Sequence, residues 1–317
     1  MLVRQSFRFI LVATLVAGSA ATAQAGAFDV DLHGSLGEAG FTHYVSPVSN
    51  PLFNETPYIT TEVRPMWLHQ NVPGSFIGGG DIDVIAVQLR VAITEQIGFI
   101  ATKDGWADID WNDNNTLMDD NGAANLAFGL KYAALALPES NSLITVGMKY
   151  EAPTGGLKTR VRPLPQVGRI RLQGQGDGLI DLFVSGATTL GPVGLEGSFG
   201  TQLAVDPDAD TSFLHWALHA DYDVVGRVFP LVELNGYTPI NDGRRTDLDF
   251  LDVKYRANGM DLVNLGSKNS NTVITIAPGV RVRLTDNIDL GAAFEVPITS
   301  EEDLMDWRIT TDVVAHL

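Results

Sequence analysis

The feature that most constrains this chain is an alternation of apolar and polar residues with a period of two, held for about ten residues at a time and repeated many times. That period places successive side chains on opposite faces of an extended strand. In 272–284, Ile274, Ile276, Val280, Val282 and Leu284 share one face, while Thr275, Gly279, Arg281 and Arg283 share the other. In 288–298, Ile288, Leu290, Ala292, Phe294, Val296 and Ile298 oppose Asp289, Gly291 and Glu295. Comparable segments are predicted at 58–69, 82–94, 97–103, 125–136, 143–152, 179–190, 194–205, 212–222, 227–237 and 307–317, which brings the count to twelve. Apolar spacing near 3.6 is absent from them, and Val, Ile, Thr and aromatic residues dominate, so amphipathic helices are a poor alternative.

Segments of this length match tilted strands crossing a hydrocarbon layer, and single-chain bacterial outer-membrane barrels have an even strand number. The links alternate as such barrels require: short at 95–96, 138–141, 191–193, 223–226 and 285–287, and longer at 70–81, 104–124, 153–178, 206–211, 238–271 and 299–305. A soluble sandwich has no reason to keep that phase. The expected fold is therefore all-β: a single antiparallel transmembrane β-barrel of about twelve strands over residues 58–317, with short periplasmic turns and long extracellular loops.

The start of the chain fits export. Arg4 and Arg8 precede an apolar run from Phe9 to Ala17, and Ala23-Gln24-Ala25 offers a small-residue cleavage site, so residues 1–25 are expected to be a signal peptide. No later run approaches the length of a transmembrane helix. Cysteine is absent, and a net charge of −17 argues against nucleic acid, whose binding relies on a dense cationic footprint. Residues 26–57, rich in Gly, Ser, Asn and Pro, are open to three readings: a periplasmic segment, a plug inside the barrel, or an extra strand at 28–36 that would move the count towards fourteen.

With the apolar face towards lipid, the polar face lines the interior, and it is heavily charged. The candidates for a pore lining are Glu62, Arg64, Arg90, Lys131, Lys149, Glu151, Asp181, Glu196, His215, His219, Glu233, Arg281, Arg283, Glu295 and Arg308, with Asp221, Arg227, Asp289 and Asp312 on the same face. Two readings follow: a narrow or gated conduit for polar or zwitterionic small molecules, or a closed interior of cross-strand ion pairs in which Lys131 and Lys149 face Glu151 and acids beyond. His215 and His219 sit four apart on one strand, about 13 Å at the usual rise, too far for one zinc, and read as ordinary lining residues. No nucleophile-elbow or His-Glu-x-x-His motif suggests an enzyme. No cofactor is expected, apart from a weak prospect of Ca²⁺ at the acidic stretches 206–210 and around Asp119, which lack the glycine and distal glutamate of an EF-hand. Trp67, Trp216, Trp307, Tyr132, Tyr150 and Tyr222 fall on the lipid side, as interfacial aromatics would.

The stretch Asn125-Leu126-Ala127-Phe128-Gly129-Leu130-Lys131-Tyr132, followed by Val146-Gly147-Met148-Lys149-Tyr150-Glu151-Ala152-Pro153-Thr154-Gly155, resembles outer-membrane transporter-type barrels grouped with the MetA-pathway phenol-degradation family. The closing Phe294-Glu295-Val296-Pro297-Ile298-Thr299 and Trp307-Arg308-Ile309-Thr310 are similar too. The resemblance implies passage of small, possibly aromatic, organic solutes across the outer membrane, with lipid and a small-molecule solute as partners. The runner-up is a non-conducting structural or surface-binding outer-membrane protein whose acidic loops meet a partner.

Overall fold

The computed structural model describes residues 30–76, 78–113, 115–161, 169–173, 176–243, 259, 261–266 and 271–317. The expected signal peptide lies outside the described residues, as do most of 238–271 and part of 153–178. The strands are β1 (Glu62–Val72), β2 (Gly80–Ala92), β3 (Ile97–Lys103), β4 (Trp106–Trp111), β5 (Leu117–Met118), β6 (Asp120–Ala123), β7 (Leu126–Leu137), β8 (Ser142–Ala152), β9 (Lys158–Val161), β10 (Arg169–Arg171), β11 (Leu179–Leu190), β12 (Val193–Ala204), β13 (Ser212–Tyr222), β14 (Val228–Asn241), β15 (Val273–Thr285), β16 (Ile288–Pro297) and β17 (Trp307–His316).

Each long strand pairs antiparallel with its sequence neighbours, and β1 pairs with both β2 and β17, which closes the sheet into a twelve-strand barrel. Closure removes the unpaired edges that a bilayer cannot tolerate. The wall is β1, β2, β3, β7, β8 and β11 to β17, so the twelve predicted segments are the twelve wall strands. Starts agree within two residues except the first, which is Glu62, so that 58–61 belong to the segment before it. The extra strand also fails over its described part, where 34–36 form a 3₁₀ turn.

The outward positions carry Leu130, Tyr132, Val146, Met148, Leu182, Val184, Phe199, Leu218, Val232, Leu290 and Phe294, all exposed. Such a belt around a closed ladder is stable only against hydrocarbon, which places the protein in the bacterial outer membrane. Gly236 serves the belt by lacking a side chain, since a Cβ there would collide with the Trp216 indole lying over it.

Near the outer end of β1, β2 and β4 the polarity of the two faces reverses. Val72, Ile82, Ala107, Ile109 and Trp111 point inward and are buried, whereas Asp81, Asp83, Asp108 and Asp110 point outward. These ends stand above the lipid, where water wets the outside and an apolar core forms inside. The core gathers Phe76, Leu117, Leu157, Val161, Ile170, Leu172, Val263, Leu265 and Leu304 over the barrel mouth.

Two expected loops are therefore largely strand. Residues 70–81 shrink to 73–79, and within 104–124 β4 pairs with β6 as a hairpin that continues β3 and β7 past a register shift between Ala101 and Lys103 and past Gly105, whose φ is 98°. Asp108, Asp110 and Asp120 are strand residues rather than loop residues, because alternation continues through them with its polarity inverted.

Candidate functional site

The lumen is the candidate site, and register assembles it. Glu62 lies opposite Arg90, Lys149 opposite Asp181, Arg283 opposite Asp289, and Arg308 opposite Glu295. Across β12, β13 and β14 the row runs Glu196, His219, Glu233. Gly291 stands between Arg281 and Asp312. Having no side chain, it lets the guanidinium reach over β16, and Arg281 Nη1 lies 2.8 Å from Asp312 Oδ1. Arg64 pairs with the same carboxylate, its Nε donating at 2.6 Å to Asp312 Oδ2.

Of the inner-face residues named from the sequence, all point inward but Arg227, which is exposed in the turn before β14. Glu151 takes a partner other than the two lysines expected, and Lys149 turns to an acid beyond it. Glu151 is met by Lys103 at 2.7 Å, from two strands away across the small Ala127, and Lys149 binds Asp181 at 2.9 Å. His215 Nε2 lies 2.8 Å from Asp181 Oδ1, and His219 Nδ1 lies 2.8 Å from Glu233 Oε1. The two imidazoles thus serve separate carboxylates. Among the described residues no group of three or more His, Cys, Asp or Glu is disposed to hold a metal. At the acidic stretches the carboxylates engage nearby chain: Asp119 accepts from the Trp111 N–H and Asp210 from the Gly176 N–H.

What the lining faces is the chain's own residues 31–61, which run through the lumen as a plug. Three prolines, Pro47, Pro51 and Pro57, keep this stretch from continuing as a paired strand. It enters with Phe41, Tyr44, Tyr58 and Ile59 packed against Ala92, Ala133, Leu143 and Ala187 of the wall. Further in, Val48 packs against Leu231, Ala277 and Ala293.

Its backbone then meets the charged wall in a sided manner. Arg281 Nε donates to Ser46 O at 2.8 Å, Arg64 Nη2 to Pro47 O at 2.7 Å, and Arg308 Nη2 to Ser49 O at 3.2 Å. The Val48 and Ser49 N–H groups donate at 2.7 Å each to the two oxygens of Glu233, and the Ser49 hydroxyl binds Glu233 as well. His43 Nε2 lies 3.0 Å from Asp221 Oδ1.

The plug brings one carboxylate deep into the lumen. Glu55 accepts from Arg90 Nη2 at 2.7 Å and Nε at 2.9 Å, and from Lys131 Nζ at 2.8 Å. Lys131 also donates to the carbonyls of Thr56 and Tyr58. Burial by itself raises the Glu55 carboxyl, but the charges of Arg90 and Lys131 outweigh it and hold it far below the usual carboxylate range. Glu62, Arg64, Arg90, Lys131, Glu233, Arg281, Glu295 and Arg308 are consequently almost fully buried. Above the plug, Pro51 and Leu52 meet the apolar cap at a cavity of about 50 Å³ lined by Met66, Leu68, Val84 and Leu157.

His43, Ser46, Val48, Ser49 and Glu55 are the site residues that sequence reasoning leaves unplaced. The available signal is a lone Glu among Pro, Ser and Asn, ahead of a barrel with a charged inner face.

No protein-family model matches the chain, so the likeness to the phenol-degradation family rests on the strand and turn residues quoted above, and no curated protein matches it. Among solved structures, the chain is similar to the NanC porin, with 9% identity over 81% of this chain and 99% of that one and a TM-score of 0.46. It is similar also to the translocator domain of the autotransporter NalP from Neisseria meningitidis, with 12% identity over 81% and 88% and a TM-score of 0.48. The outer-membrane channel DcaP of Acinetobacter baumannii is similar at 9% identity over 82% and 96%, with a TM-score of 0.35.

Proposed function

We propose that this protein is a gated outer-membrane channel for small polar solutes, closed in the present state by residues 31–61. The observation that carries the reading is the character of the plug's contacts. A permanently filled barrel can be packed with apolar side chains. Here the filling is held mainly by ion pairs and charge-assisted hydrogen bonds, whose attraction is largely offset by desolvation. When the plug shifts, each of those groups can exchange a plug partner for water, so the open state is hydrated and not prohibitively costly. Passage also requires the apolar cap to part from Pro51 and Leu52. No residue of the lumen singles out an aromatic solute.

A disulfide tests the gate, since the chain has no cysteine of its own. Val48→Cys with Ala277→Cys joins two side chains of one buried cluster, one on the plug and one on β15. In planar bilayers the oxidised double variant should be silent, and reduction should restore the conductance of the unaltered chain. If the unaltered and reduced proteins both stay silent and pass no solute in liposomes, the channel reading fails. A non-conducting surface protein, presenting the outward Asp81, Asp83, Asp108 and Asp110, would then stand in its place.

A further inference from the structure

The plug is held as a peptide, and the way the wall grips its two polar edges tells what the lumen recognises. On one side, carbonyl oxygens of Ser46, Pro47 and Ser49 accept from Arg281, Arg64 and Arg308. On the other, the N–H groups of Val48 and Ser49 donate to Glu233. The wall therefore offers guanidinium donors to oxygens and a carboxylate to N–H groups within a four-residue stretch of backbone.

Charge sharpens the picture once the plug's own groups are subtracted. Arg64 and Arg281 share the single carboxylate of Asp312, which leaves one positive charge in excess at that pair, while Arg308 nearby meets two carboxylates, Glu295 and Asp261. Arg90 and Lys131 balance Glu55 and Glu62 only while Glu55 is present, so its departure adds a second. On the β12 to β14 side, Glu196, Asp221 and Glu233 surround one imidazole, His219, while the second imidazole on Asp221 is the plug's His43 and leaves with it. An emptied lumen thus holds a cationic cluster at Arg64, Arg281, Arg90 and Lys131 and an anionic one on β12 to β14, the two meeting where β14 adjoins β15, with the donor pattern of a peptide unit between them.

We infer that the opened lumen selects zwitterionic solutes of the amino-acid and short-peptide class, whose carboxylate seats at Arg64 and Arg281 and whose ammonium or amide N–H seats at Glu233. The inference rests on the gated-channel reading above. A simple anion or cation would satisfy one cluster and be repelled by the other, and an uncharged sugar would leave both clusters without a charged partner.

Liposome flux of the full-length protein separates the possibilities, with glycylglycine as probe and arabinose, succinate and putrescine as comparators of similar size. Glycylglycine should pass faster than arabinose by roughly tenfold, the factor one charge-assisted contact of ordinary strength supplies, and faster than either ion. Arg281→Gln or Glu233→Gln should bring the ratio of glycylglycine to arabinose flux towards one, whatever either change does to the total flux by loosening the plug; where either variant fails to fold, the four-solute panel on the unaltered protein still decides. Arabinose flux with no preference for the dipeptide, or a preference unchanged in both variants, overturns the ligand class and leaves the channel intact. Failure of all four solutes, in the unaltered chain and in the reduced Val48→Cys, Ala277→Cys double variant, removes the channel and this inference together.

Discussion

Glu55 shows how much a single side chain carries in this interior. It enters the lumen on the plug and satisfies two cations of the wall, Arg90 and Lys131. Because its carboxyl is depressed when the plug is seated, the stabilisation is complete at pH values above the solvated carboxylate value of about 4.3 and is lost as pH falls below it towards the depressed value. The Glu55 contribution to plug retention, followed as the difference in protease resistance of residues 31–61 between the unaltered chain and Glu55→Gln, should therefore be level from neutral pH down to about 5 and decline below about 4. Glu55→Gln should leave the plug more accessible at neutral pH. Arg90→Met is the harsher change, since it leaves Glu55 and Glu62 buried with Lys131 alone. The expected loss is about 3–5 kcal/mol, the range for stranding one partner of a buried pair, read as a lower denaturation midpoint in detergent. The burial of these groups could not be seen in the sequence: alternation gives the face of Arg90 and Glu62, but register and a segment remote from both decide what they touch.

Among the elements, the strands were legible and their outer ends were not. All twelve wall strands follow from period-two alternation, because within the hydrocarbon layer the lipid side must be apolar at every second residue. Above the layer the same period persists with its sign reversed, and a reading that equates the apolar face with lipid then sees a loop. β4 makes the point, with Ala107, Ile109 and Trp111 facing inward and Asp108 and Asp110 outward. Two consequences can be measured. Trp111→Ala should cost about 3–5 kcal/mol locally, seen as faster proteolysis within 112–119 with the wall strands still protected, because Trp111 belongs to the cap core and to no part of the membrane belt. On the outer surface Asp81 lies opposite Asp110, and Asp83 opposite Asp108. Like charges so placed repel, so Asp108→Asn should raise the stability of this hairpin by a few tenths of a kcal/mol, an effect that added salt diminishes.

At the scale of the whole molecule, the wall and its filling depend on each other unequally. The hydrogen-bond ladder closes through β1, which takes β2 on one side and β17 on the other, and no wall strand uses residues 31–61 as a neighbour in that ladder. The belt of outward apolar side chains is likewise independent of what fills the lumen. The plug, by contrast, has no sheet of its own; it has local turns, such as that closed by the Asn54 N–H on Asn50 O, but between 46 and 49 its carbonyls and amides are satisfied by wall side chains, so its seating depends on the barrel. Deleting residues 31–57 should therefore leave a barrel with its strand content intact by circular dichroism. Its charged inner face, relieved of Glu55 and His43, fills with water. Such a barrel should be less stable to heat than the complete chain and should conduct continuously, without the closures expected of the gated form. Loss of strand content on deletion would instead make the plug part of the folding core, and the lumen a true interior whose charges are paired for good.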